Sequence, residues 1–221
     1  MMDDMTHGHK GIISIQTKPA NNPLFGQSKW WGEPDMPEEL DWPEVKAIDE
    51  SGNEFLDPLT FVCQIRCEDI ASFDPEGWLP HKGMLYFFAA LDYFLGDIDT
   101  PTYPGIGQWR QNYFRVLFSP NCEQLHTHHL NYPDGTSATL PAEAITFLPS
   151  SEADDGNRLL GYPYIEDVRE NMPDMISLLQ IEENDHWNLT FHDCGMLYFL
   201  IHPKQLLARK WNQTCCYLYS L

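Results

Sequence analysis

Positive charge is what this sequence has least of: 13 lysines and arginines stand against 33 aspartates and glutamates, for a formal charge of −20. Such a chain repels phosphate backbones and anionic lipid at moderate salt, so neither nucleic acid nor a membrane is an expected partner. The G-x-S-x-G turn that exposes a nucleophilic serine is missing. So are G-x-x-x-x-G-K-[ST] and G-x-G-x-x-G, the loops that cradle phosphates. No catalytic residue is assigned, and no cofactor is expected. The longest apolar stretch, GMLYFFAALDYFLG, is interrupted by Asp92 and is too short to span a bilayer. The opening, MMDDMTHGHK, is acidic where a secretory signal is basic, so a cytoplasmic location is expected. Six cysteines include no C-x-x-C pair, and in that compartment they are expected to be reduced thiols.

What the chain does have is apolar mass. With 43% hydrophobic and 13% aromatic residues it can fill a core. Runs rich in β-branched and aromatic residues predict strands over 11–16, 59–65, 84–91, 113–119, 144–149, 175–181, 187–191, 196–201 and 215–221. Helix is scarce. CEDIASF (67–73) suits one or two turns, and PKQLLARK (203–210) has proline at its first position and cations in its last turn. The expected class is α+β, predominantly antiparallel β, with few short helices.

The pentapeptide GMLYF occurs twice, at 83–87 and 195–199. Gln64-Ile65 precedes the first copy and Gln180-Ile181 the second. Further upstream, Trp31-Gly32-Glu33-Pro34 is matched by Leu160-Gly161-Tyr162-Pro163. The conserved order predicts an internally duplicated β-rich unit of about 100 residues, with units at 1–120 and 121–221 packed as one globular domain. The two pentapeptides are then expected at equivalent places in two superposable sheets.

These residues also carry a resemblance. The Ser28 to Pro43 block, the Gln-Ile strands, LPHKGMLYFF, LLGYP and the closing GMLYFLI resemble the YwqG-like family, a domain of unknown function widespread in bacteria. In that pattern a second glycine usually stands where this chain has Trp31. The resemblance implies a mostly antiparallel β architecture with internal pseudo-symmetry. It implies no reaction, and the occurrence of some members near toxin or immunity genes points toward protein binding.

Candidate sites follow from the segment QSKWWGEPDMPEELDWP, residues 27–43, where tryptophans, prolines and acids crowd together. Ten acids between Glu33 and Asp57 face only Lys46. Such a run is ordinarily a solvated face, but Glu38, Glu39, Asp41 and Glu44 are also candidates to attract a basic protein partner, with Trp30 and Trp31 as anchors if exposed. Gln64 and Gln180, amides inside apolar strands, are expected to be held by backbone groups, or else to line a cleft between the repeats. His126 and His128 would share one face of a strand, a weak metal-ligand spacing that needs further ligands from elsewhere. The expected function is a non-enzymatic, acidic interaction module, immunity- or adaptor-like. The alternative is a small-ligand or metal-dependent enzyme with its site between the repeats.

Overall fold

The computed structural model describes residues 11–49 and 51–221, so the acidic opening and Glu50 lie outside the described residues. The strands, in chain order, are β1 Ile13–Pro19, β2 Lys29–Trp30, β3 Asp35–Pro37, β4 Glu44–Ile48, β5 Glu54–Pro58, β6 Thr60–Arg66, β7 Met84–Ala89 and β8 Gly107–Gln108. They continue with β9 Phe114–Ser119, β10 Leu125–Thr127, β11 Glu143–Pro149, β12 Arg158–Leu159, β13 Ile176–Glu182, β14 Met196–Ile201 and β15 Cys215–Tyr219. Three short helices accompany them: α1 Cys67–Ile70, α2 Glu166–Asn171 and α3 Pro203–Leu207. The chain is mostly antiparallel β with few short helices, as its apolar runs require.

Eleven strands make one antiparallel sheet in the order β8-β15-β14-β13-β12-β1-β11-β2-β6-β7-β9, and two ladders, β10 with β3 and β4 with β5, stand apart from it. The expectation of two separate sheets is therefore corrected to one. Residue 120 does not divide it: β1 lies between β12 and β11, and β8 extends the sheet beyond β15. The sheet curls onto itself. Six strands separate β7 from β14 in the order, about 34 Å if the sheet were flat, yet the rings of Phe87 and Phe199 are 5.3 Å apart.

Every residue of β7 and β14 is buried, because both faces of these strands are covered. Leu85, Phe87, Leu197 and Phe199 point into the common core inside the curl. Met84, Tyr86 and Phe88 point outward, lie beside Phe61 of β6 and are covered by Met36 of β3 and Val45 of β4. Met196, Tyr198 and Leu200 are covered instead by Val168 of α2. Continuous apolar strands of this kind are what two covered faces demand.

Three local expectations are revised. Residues 187–191 are not a strand; Asp185–Trp187 form a 3-10 turn, and Asn184 pairs with Leu189 in an isolated bridge. The Asn184 side chain accepts the His186 N–H at 2.9 Å and Asn188 adopts φ 54°, which turns the chain and carries Trp187 inward. The last helix stops at Leu207 rather than 210, since Arg209 takes φ 56°, where a helix cannot continue. The first strand begins two residues later than its apolar run, at Ile13.

Candidate functional site

Gln64 and Gln180 are both fully buried, on β6 and β13. The Asp35 N–H donates to Gln64 Oε1 at 2.8 Å, and Gln64 Nε2 donates to the Gln27 carbonyl at 2.8 Å and to Asp35 Oδ2 at 3.1 Å. Gln180 does the same work with fewer partners: Tyr164 N–H donates to its Oε1 at 3.2 Å, and its Nε2 donates to the Gly156 carbonyl at 2.8 Å. Each amide thus ties its strand to the chain arriving from the G-x-P corner. Both amides hold backbone groups, the first of the two expected roles, and neither is among the residues that line the two concavities described below.

A buried cation faces each amide, Lys29 opposite Gln64 and Arg158 opposite Gln180 in strand register. Lys29 Nζ donates to Asp35 Oδ2 at 2.8 Å. Arg158 instead donates to three carbonyls, of Ser151 at 2.9 Å, Asp154 at 2.6 Å and Tyr162 at 2.8 Å. These charges hold loops, and none faces open solvent.

Trp30 and Trp31, expected as partner anchors if exposed, are 0% and 1% exposed. Trp30 stacks on Trp187 at 5.5 Å with an 18° interplanar angle, and Trp31 meets the same ring edge-on at 5.4 Å. They are core residues and present no surface to a partner. Trp31 and Gly32 have φ of 54° and 76°, Leu160 and Gly161 of 62° and 89°. That left-handed turn explains why glycine suits the place of Trp31. At Gly32 a Cβ would stand 2.7 Å from that of Ala142, so no side chain fits there.

The acidic candidates are placed differently. Glu38, Glu39, Asp41 and Glu44 are all exposed, and none forms an ion pair among the described residues. His126 lies on β10 opposite Met36, whereas His128 lies just past the strand end. With Glu38 and Thr127 they line a shallow depression of about 290 Å³. Among the described residues, however, no three His, Cys, Asp or Glu side chains are grouped to hold a metal ion.

The largest concavity described lies elsewhere. A cavity of about 610 Å³ is bounded by the β4–β5 hairpin, the start of β6, and the loops at 92–101 and 130–140. Trp42 and Phe61 form its apolar wall, 6.4 Å apart and tilted by 66°. The Trp42 indole is pinned by its N–H, which donates to the Leu59 carbonyl at 2.8 Å. Three aspartates, Asp57, Asp92 and Asp97, supply its charge. Thr60 Oγ1 donates to Asp92 Oδ1 at 2.7 Å, and Thr102 Oγ1 donates to Asp57 Oδ2 at 2.5 Å. Burial raises the Asp92 pKa above its ordinary value; the Thr60 hydrogen bond opposes the rise, and the Asp57 and Asp97 charges add to it. In the sequence Asp92 figures only as the break in an apolar run, so the cavity had no linear signal.

All six cysteines are unpaired. Burial raises the thiol pKa of Cys67 to about 12, with a further push from Glu68. At exposed Cys194 the rise comes first from a hydrogen bond and then from the charge of Asp193. No helix of the described residues is long and apolar enough to cross a membrane. No curated protein matches the chain. Residues 28–219 do match a family, and the chain belongs to it: the domain of unknown function DUF1963.

Proposed function

We propose that this protein is a YwqG-like, non-enzymatic binding module, immunity- or adaptor-like, whose acidic surface meets a basic protein partner in the cytoplasm. The observation that carries the reading is the exposed, unpaired set Glu38, Glu39, Asp41 and Glu44, in a chain of formal charge −20. Unpaired exposed carboxylates accelerate encounter with a basic surface and are screened by salt. With Trp30 and Trp31 in the core, the contact relies on charge rather than on those rings.

The same reading includes an internal duplication, with β1 and β11 exchanged at the junction of the two units. Its support is the recurrence of one set of contacts: a buried amide opposite a buried cation, a left-handed pair that ends on the glycine of G-x-P, and a register shift at Phe61/Cys63 and at Ser177/Leu179. A second reading, a small-ligand enzyme, is favoured by the 610 Å³ cavity.

The test replaces Glu38, Glu39, Asp41 and Glu44 by Gln or Asn and compares affinity capture from native lysate with the parent at low and high salt. The proposal expects a basic protein retained by the parent, released by salt and absent from the variant. An identical capture at low salt overturns it.

A further inference from the structure

We propose that the cavity beside the β4–β5 hairpin binds an organic cation, an ammonium or guanidinium group carried on an apolar stem. The proposal goes beyond the acidic surface of residues 38–44 and does not depend on it.

Size comes first: about 610 Å³ lies in the range of small-ligand pockets, roughly 300–1,000 Å³. Charge comes second. Asp57, Asp92 and Asp97 all line the cavity, and none of its lining residues is Lys, Arg or His. Among the described residues Asp92 Oδ2 receives no hydrogen bond, because Thr60 occupies only Oδ1. The half-buried carboxylate is thus left with an open acceptor, and a cation would relieve its repulsion from the other two.

Wall chemistry chooses the kind of cation. A hard divalent ion wants six or more converging oxygens, whereas no three carboxylates here are grouped for one ion. Trp42 and Phe61 line the cavity beside the acids, and aromatic rings attract ammonium and guanidinium groups by their quadrupole. Leu95 and Leu140 give an alkyl stem something to lie against. The Trp42 ring is held in advance by its bond to Leu59, so binding does not have to order it. Such a group has two sources, a free alkylamine or a Lys or Arg side chain of a partner protein.

The test titrates the full chain with n-butylammonium, n-butylguanidinium and neutral n-pentanol, following tryptophan fluorescence and heat. A second arm uses a short acetylated peptide with one central lysine and its norleucine counterpart. The expected result is saturable binding of a cationic probe, weakened about tenfold or more by Asp92→Asn with Asp57→Asn, and no comparable binding of pentanol or the norleucine peptide. Asn keeps an acceptor for Thr60 and for Thr102, and circular dichroism checks the fold. Should that pair unfold, the exposed Asp97→Asn replaces it and is expected to weaken binding in the same direction. Tighter binding of the lysine peptide than of butylammonium assigns the cation to a partner side chain, and the reverse order assigns it to a free amine. The variant neutralised at 38, 39, 41 and 44 is expected to bind the probes like the parent, which separates this site from the acidic surface. Lack of saturation below about 1 mM, equal binding of pentanol, or unchanged binding in the aspartate variants overturns the proposal.

Discussion

Lys29 and Arg158 stand opposite Gln64 and Gln180 in corresponding antiparallel register, and both are buried, yet their surroundings are built differently. Around Lys29 the charge is answered by a carboxylate. Asp35 takes the ammonium and the Gly26 N–H on Oδ2 and the Thr127 hydroxyl on Oδ1, gathering the 26–29 segment and β10 onto one residue. Around Arg158 the answer is three carbonyls, and Nε is left without a partner. A guanidinium can spread its donors over neutral acceptors in a way that a compact ammonium cannot. The outer covering differs as well: a β hairpin lies over the first sector, that of Lys29 and β7, and helix α2 over the second, that of Arg158 and β14. The hairpin stands off far enough to leave the cavity with its three aspartates. Two similar frames therefore carry unlike surfaces, and chemistry is sought where they differ.

The largest effect expected from this comparison is at the ion pair. Asp35→Ala leaves Lys29 buried without its counter-charge, and should cost about 3–5 kcal/mol. Arg158→Met removes a buried charge along with its three bonds, and should cost less, about 1–2 kcal/mol. Urea denaturation of both variants measures the gap. Equal losses would mean that the carbonyl cage is as demanding as the ion pair.

The glutamines come next. Gln64→Leu strands the Asp35 N–H and removes a donor from its carboxylate, for an expected loss of about 2–3 kcal/mol. Gln180→Leu strands one half-buried N–H and one carbonyl, for about 1–2 kcal/mol. A larger loss at Gln180 would reverse the ranking of the two sectors.

Legibility was uneven, for physical reasons. Apolar runs such as MLYFFA and MLYFLI translate directly into strands covered on both faces. The glutamines were legible too, since an amide inside an apolar strand must find backbone partners. The β4–β5 hairpin did leave a signal: Val45 and Ala47 alternate with exposed neighbours, and between the two strands Asp49 Oδ1 accepts from the Ser51 and Asn53 N–H groups. Its density of acids hid that alternation. The Trp30–Trp31 pair was ambiguous because a tryptophan serves equally as core or as anchor, and only the inward turn at Trp187 decides between them.

A smaller effect concerns pH. Burial first, and then neighbouring acids, raise the pKa of Asp92 in the first sector and of Glu182 in the second. A carboxyl whose folded pKa exceeds its unfolded value binds more protons when folded, so its contribution to stability falls as pH rises through that interval. Asp92→Asn and Glu182→Gln should therefore each raise the melting temperature slightly at pH 7, with the gain fading as pH drops toward the ordinary value near 4. Thermal scans across pH check this. A gain that persists unchanged in acid would place its origin elsewhere. The larger gain is expected at Asp92, which has two acidic neighbours against the single Asp155 beside Glu182.

The smallest effect is on the thiols. Cys63 and Cys67 of the first sector and Cys216 of the second are buried, and Cys194 is exposed. A thiol reagent applied to native protein should label Cys194 first and the three buried thiols only on unfolding, when all six react. Rapid native labelling of Cys63 would show that the first sector opens more readily than the second.

The sequence by itself determined the local and periodic features: strand-rich class, scarcity of helix, recurrence of GMLYF and the acidic balance. Each rests on neighbours along the chain, or on counts that need no neighbours at all. Tertiary structure alone decided that the strands join one curled sheet, that Trp30 and Trp31 are sealed in the core inside its curl, and that Asp57, Asp92 and Asp97 meet at one cavity. These are encounters between segments tens of residues apart, and apolar burial drives them without regard to spacing in the chain.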